Sequence, residues 1–343
     1  MDAKEITLEY KGFIKLNLGQ NGFYRISYSP SLLAKLKQNM NKFEPIDRYG
    51  ILYSFLSHNE IDHEFVNLLE AYKGEDSYIV WSLLELSIQR LKEKLIGRQR
   101  LNKLKVIINK LFGESFIKVG KFECDSIIDT KCITQGSIAR ILGLLAENKE
   151  VIEEAVKKFK ENISNGFINL SSEIREVTCY LACYSGMECI DLLKKADISL
   201  WKKKNKILKY KSMMICKELS EEALLELMNE TRNDPEIICG PRDNHNFYPS
   251  CLKTLERYLI QKDFDKINQS KILDFVSSIP DMWIIEYKDC IDKVKNALPT
   301  EIPETCSQLK ESILTLHTKS LKVMEEFPEL TKAIDDFYDR LTK

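Results

Sequence analysis

From Ser29 to Leu341, apolar residues return at three- and four-residue steps with few interruptions. Each helix so patterned has one stripe to bury, and helix packed on helix is the direct way to bury it. The pattern is strongest over Asp76–Leu95, where Ile79, Trp81, Leu84, Ile88, Leu91 and Leu95 share a side. Ser29-Pro30 opens the first helix, with Ser as cap and Pro in the first turn. Further helices are predicted from Pro45 through IDRYGILYSFLS, over Asp62–Tyr72, and over LNKLKVIINKLFG. Phe116–Cys132 reads as a loop with a short helix.

After that the helices come in close pairs: Ser137–Glu147 with Lys149–Asn162, Ser172–Ser185 with Glu188–Lys195, and Leu200–Lys217 with Ser220–Asn233. Ser250–Lys262, Gln269–Ser278, Trp283–Ala297, Pro303–Met324 and Glu329–Leu341 complete the set. A pair recurring every ~35–40 residues is the spacing of helical solenoids, which stack pairs around a concave face. No shared consensus links the pairs. The expected fold is therefore mainly α: a solenoid of HEAT- or armadillo-like antiparallel pairs over residues 29–343.

Residues 1–28 read differently. In Gly12–Tyr28, GFIKLNLGQNGFYRISY, apolar side chains alternate, a Gly-bracketed turn follows at Gly19–Gly22, and alternation resumes. That predicts a β hairpin, with EITLEY before it as a possible third strand. Three strands cannot bury a sheet alone, so this stretch reads as the end of a β domain.

Lys and Arg total 51 against 52 Asp and Glu, a formal charge of −1. No global field recruits nucleic acid or an acidic membrane. No apolar run is long enough to span a bilayer. MDAKEITLEYKG carries neither a secretory core nor a basic leader, so a cytoplasmic location is expected unless an upstream segment is missing. The ten cysteines form no C-x-x-C pair, and most sit in apolar helical patterns such as VTCYLACY. Reduced core thiols are expected, not a disulfide framework.

GFIKLNLGQNGFYRISYSP resembles the K-L-N-x-x-x-x-G-F-Y-R-x-x-Y segment of zinc aminopeptidases of the puromycin-sensitive, H-E-x-x-H type. EPIDRYGILYSFL is similar to that family's P-x-D-R-x-G-L-x-x-D-x-F helix. EDSYIVWSLL is similar to its E-x-x-Y-x-x-W-x-x-L segment, and SSEIREVTCYLACYSG to its L-R-x-x-V-Y helix. The resemblance implies the last hairpin of a β-sandwich, followed by a C-terminal bowl of helix pairs. In the family that bowl covers the catalytic domain and encloses the peptide.

The family's H-E-x-x-H and G-x-M-E-N segments have no counterpart here. The histidines are His58, His63, His245 and His317. His58 and His63 stand five apart, and His63-Glu64 lacks a second His four positions on, so no zinc site is read. No catalytic or metal-binding residue is assigned, and zinc is expected only in the full-length family enzyme. The resemblance implies two peptide-contact candidates: Lys271, near the position of an arginine that some members turn toward substrate, and Arg175, in the L-R-x-x-V-Y helix. Lysine keeps the charge but loses the bidentate fork. Arg175 reads equally well as a structural arginine bonded to helix-end carbonyls.

Three other constellations favour structural readings. Asp47-Arg48 reads as a local ion pair, or as a helix-start carboxylate near the helix's positive end. Glu75, Tyr78 and Trp81 read as a packed helix, because their stripe continues to Ile88. Leu200–Lys211, basic with Trp201 and Tyr210, reads as a solvated face, since its lysines alternate with core positions and the next helix is acidic.

The expected role is thus a non-catalytic C-terminal domain of a zinc metallo-aminopeptidase, inactive alone. It would cap the active site, with the catalytic domain and the peptide substrate as partners. The other reading is a free-standing helical-repeat scaffold binding a protein or peptide on its concave face.

Overall fold

The computed structural model describes residues 12–57, 63–95, 98–123, 129–196, 203–216, 218–220, 223, 226–227, 247–263, 279, 284, 287–301, 303, 307–322 and 328–343. Fourteen α-helices are found among them: α1 (Pro30–Gln38), α2 (Pro45–Ser57), α3 (His63–Leu68), α4 (Tyr78–Lys94), α5 (Arg98–Lys118), α6 (Thr130–Ala139), α7 (Lys149–Asn162), α8 (Ser172–Ser185), α9 (Met187–Lys195), α10 (Lys203–Met214), α11 (Phe247–Gln261), α12 (Lys288–Asn296), α13 (Ser307–Lys322) and α14 (Pro328–Thr342). Mainly α is therefore the fold class. Predicted helices Ser220–Asn233 and Gln269–Ser278 fall wholly or mostly outside the described residues.

The helix starts follow from short-range chemistry. Ser29, Asn148 and Ser171 each accept a backbone N–H from the first turn of the helix they precede. The predicted loop over Phe116–Cys132 is shorter than expected. α5 runs to Lys118, and α6 begins at Thr130, capped by Asp129. Beyond Ala139 the helix widens into a π-helical segment, Arg140–Leu145. Gly143 makes room there: a Cβ would stand 2.3 Å from Leu181 of α8.

Alternate helices touch. α2 packs on α4, α4 on α6, α6 on α8 and α8 on α10, while α7 lies along α8. Trp81 of α4 meets Phe112 of α5 edge to face at 5.3 Å, both fully buried. The last helix returns to the first half and packs along both α3 and α5. Leu330, Ile334 and Phe337 of α14 are buried at helical spacing. At its rim Lys103 meets Asp335 at 2.7 Å, and Arg340 and Lys37 share Glu70 at 3.3 and 3.0 Å.

The predicted hairpin is not formed among residues 12–28: no strand is present there. The Gly-bracketed turn closes as one 3-10 turn, Leu18–Gln20. Asn17 and Gln20 join Gly19 in the left-handed region, and the Asn17 side chain bonds both the N–H and the C=O of Gly22. Two strands cannot cover a face by themselves, and the segment docks on α2 instead. The Gly19 N–H donates to Asp47 Oδ1 at 2.7 Å, Lys15 reaches the same oxygen at 3.4 Å, and Ile26 is buried. The turn sits so close to α2 that a Cβ on Gly50 would fall 1.9 Å from Gln20 Nε2.

The thiols are core groups, as expected for Cys179, Cys183, Cys189, Cys216 and Cys251, which are buried and not in disulfides. Cys132 is the exception, because it is held in a disulfide.

Phe337→Ala should cost about 3–5 kcal/mol, the usual penalty for emptying a buried aromatic site. Chemical denaturation measures the loss, and hydrogen exchange should quicken in α3 and α5 as well as in α14. A loss confined to α14 would mean that the last helix is only an appendage.

Candidate functional site

The residues singled out around α2 and α4 are brought together. Arg48, in the first turn of α2, lays its fork on Glu75: Nε donates to Oε2 at 2.8 Å and Nη2 to Oε1 at 2.7 Å. Its third nitrogen donates to the Phe43 carbonyl at 2.8 Å. The Glu75 side chain is 1% exposed. Its Oε1 also accepts the N–H groups of Asp76 and Ser77, just ahead of α4, and its backbone carbonyl accepts the Trp81 indole N–H at 3.1 Å. The Tyr72 hydroxyl donates to the Arg48 carbonyl. Hydrogen bonding to Glu75 raises the Arg48 pKa further, against the effect of burial. Arg48 of the D-R motif and Glu75 and Trp81 of the E-x-x-Y-x-x-W motif thus form one clasp, and their chemistry goes into holding α2 to α4.

Asp47 faces the other way, onto the N-terminal segment. Burial lowers the Lys15 pKa, with Asp47 opposing the shift. The Tyr28 hydroxyl is buried without a hydrogen-bond partner, and its pKa rises to about 12 through burial and the nearby charge of Asp47.

Tyr78 separates from Glu75 and Trp81. It lies exposed on a cleft of about 410 Å³ between the starts of α4 and α6 and the end of α5. Lys118, Gly120, Lys131 and Thr134 line the other walls.

One network goes beyond the sequence reading. Arg140, in the π-helical segment, donates to Glu85 of α4 at 2.6 Å and to Glu173 of α8 at 3.2 Å. Burial opposes its charge, but Glu85, Glu173 and Glu176 outweigh that and raise its pKa. Its signal in the sequence is a lone arginine inside the apolar run SIARILGLLA.

Of the two peptide-contact candidates, Lys271 lies outside the described residues. Arg175 stands half-buried near the start of α8. Among the described residues no ion pair or side-chain hydrogen bond of its guanidinium is found. Of the basic stretch Leu200–Lys211, Lys209 is buried and donates to the Lys194 carbonyl, and Tyr210 packs on the core.

His58 and His245 lie outside the described residues. His63 stands 3.5 Å from both Glu64 and Glu329, and His317 stands 3.4 Å from Asp292. Among the described residues no three His, Cys, Asp or Glu side chains converge to hold a metal ion. The described residues therefore offer no site that fits zinc. No helix among the described residues is long and apolar enough to cross a membrane.

Arg48→Ala strands the Glu75 carboxylate in the core and should destabilise the protein by about 3–5 kcal/mol. Glu75→Gln, which keeps the shape, should cost less. Urea denaturation of the two variants and of the double variant tests this. Additive losses would sink the clasp, since coupled partners are non-additive.

The family model for the ERAP1-like C-terminal domain matches residues 13–237. The chain is 24% identical over 190 residues to the puromycin-sensitive aminopeptidase of Caenorhabditis elegans, covering 53% of this chain and 20% of that protein. It is 29% identical over 174 residues to the alanine/arginine aminopeptidase of Saccharomyces cerevisiae, covering 47% and 20%. To aminopeptidase M1 of Arabidopsis thaliana it is 32% identical over 160 residues, covering 43% and 18%. The matched region spans about a fifth of each relative's length. The match takes in α1 to α10 together with the clasp, and on that ground the chain belongs to the ERAP1-like C-terminal domain family of aminopeptidases.

Proposed function

We propose that this chain is the non-catalytic C-terminal domain of a zinc metallo-aminopeptidase, acting in the cytoplasm as a cap over an active site carried elsewhere. The family match over residues 13–237 carries this reading. Contacts between alternate helices from α2 to α10 support a curved, HEAT-like array. Such an array would wall a chamber, admit short or flexible peptides, and touch the peptide beyond the scissile bond. Arg175 is the described residue we assign to peptide contact, because no carboxylate among the described residues claims its guanidinium. Lys271 is assigned the same role from the family resemblance alone.

A second reading is a free-standing scaffold that binds a peptide or protein on its concave face. The return of α14 onto α3 and α5 favours it, since that contact closes the helical layer on itself.

The two readings diverge in one experiment. The chain is mixed with the separately expressed catalytic portion of a family aminopeptidase, and hydrolysis of short and long peptides is followed. The domain reading expects the chain alone to be inactive, to bind the catalytic portion, and to change KM more for long peptides than for short ones. In that complex Arg175→Ala should raise KM for long peptides and leave kcat nearly unchanged. No binding and no change in either constant would reject the domain reading.

A further inference from the structure

The cleft beside Tyr78 opens just outside the clasp. Ser77 and Tyr78 line it from the start of α4, Lys118 and Gly120 from the end of α5, and Thr130 and Lys131 from the start of α6. One wall is held from behind. Gln135 of α6 is fully buried, and its Nε2 donates to the Val119 carbonyl at 2.8 Å and to the Gly120 carbonyl at 3.4 Å. Gly120 has φ +85°, a conformation that favours glycine, and a Cβ there would stand 3.3 Å from Lys131 Nζ. The bare Cα thus lets the Lys131 ammonium lie over the end of α5.

The polar groups around this cleft are little used by the fold. Among the described residues no ion pair or hydrogen bond of the Lys131 ammonium is found, although the Glu123 carboxylate also lies near Gly120. Lys118 meets only Glu114, at 3.6 Å, and both side chains are mostly exposed, so that pair is worth little. The Ser77 hydroxyl does not cap α4, and no hydrogen bond of the Tyr78 hydroxyl is found among the described residues. Asp76, the acidic residue of the lining, is turned outward at 89% exposure and stands 3.3 Å from Arg48.

We propose that this cleft binds a small phosphate monoester. Two ammonium groups act as point charges, which suit a tetrahedral oxyanion, whereas a planar carboxylate is best met by an arginine fork. Glu75 already occupies the N–H groups of Asp76 and Ser77, so recognition falls to the lysines and hydroxyls and not to the helix start. A cleft of about 410 Å³ holds more than a bare phosphate. The exposed Tyr78 ring offers a face to the organic part of the ester. The proposal does not rest on the domain reading.

Calorimetric titration of the full chain with phenyl phosphate, inorganic phosphate and benzoate tests it. Phenyl phosphate should bind with a Kd of about 0.1–1 mM, inorganic phosphate more weakly, and benzoate more weakly still. Lys131→Gln and Lys118→Gln should each weaken phenyl phosphate by about fivefold or more, the loss of one charge-assisted hydrogen bond, with unchanged circular dichroism. Tyr78→Ala should weaken phenyl phosphate and leave inorganic phosphate nearly unchanged. No binding of phenyl phosphate overturns the proposal, as does binding that neither lysine variant weakens. Benzoate binding as tightly as phenyl phosphate rejects the tetrahedral ligand. Inorganic phosphate binding as tightly rejects the ester and leaves the free ion. None of these results bears on whether the chain binds a catalytic portion, so the two readings fail separately.

Discussion

A carboxylate as deeply buried as Glu75 is tolerated only if nearly every lone pair is used. Here four donors meet it: Arg48 Nε on Oε2, and Arg48 Nη2 with two backbone N–H groups on Oε1. The arrangement fixes more than a charge pair. The Asp76 and Ser77 amides it holds lead directly into α4, so the same group sets where α4 begins and how it sits against α2. Trp81 then hangs from the Glu75 carbonyl and carries the contact to Phe112 of α5. Three helices are thereby located around one residue.

Arg140 has a comparable role further along the chain, with the charges reversed. Its guanidinium ties the α6 continuation to Glu85 of α4 and Glu173 of α8. A regular α-helix would turn residues 140–145 differently. The wider π-helical turn and the bare Cα of Gly143 let Leu181 of α8 come close to that segment. The two networks share a logic: a planar guanidinium bridges neighbouring helices whose apolar stripes alone would leave their axial register loose.

How far the sequence reveals this depends on the range of the interaction. Helix identity is local, so Lys149–Asn162 and Ser172–Ser185 are found as read, and the caps at Ser29, Asn148 and Ser171 are where short-range chemistry puts them. The α6 boundary is misplaced because Ser137–Glu147 looks like a helix start, whereas Asp129 caps a helix beginning seven residues earlier. The hairpin fails for a different reason. Alternation along FIKLNL and FYRISY records an ability to pair, but pairing needs a partner strand, and the turn between them folds onto α2 instead. Non-local choices leave fainter traces. The return of α14 to α3 and α5 shows in its amphipathic stripe only as something to bury, with no sign of where.

The clasp also explains why motif recognition and site recognition diverge in this chain. Asp47, Arg48, Glu75 and Trp81, which sit in two of the helical motifs that resemble the family, are committed to structure. A group with every donor or acceptor occupied by its own fold has nothing left for a ligand. Among the described residues, a side chain that this clasp leaves uncommitted is Tyr78, exposed on its cleft. A chain built this way leaves such surface groups free to vary while its buried charges hold the helices in register.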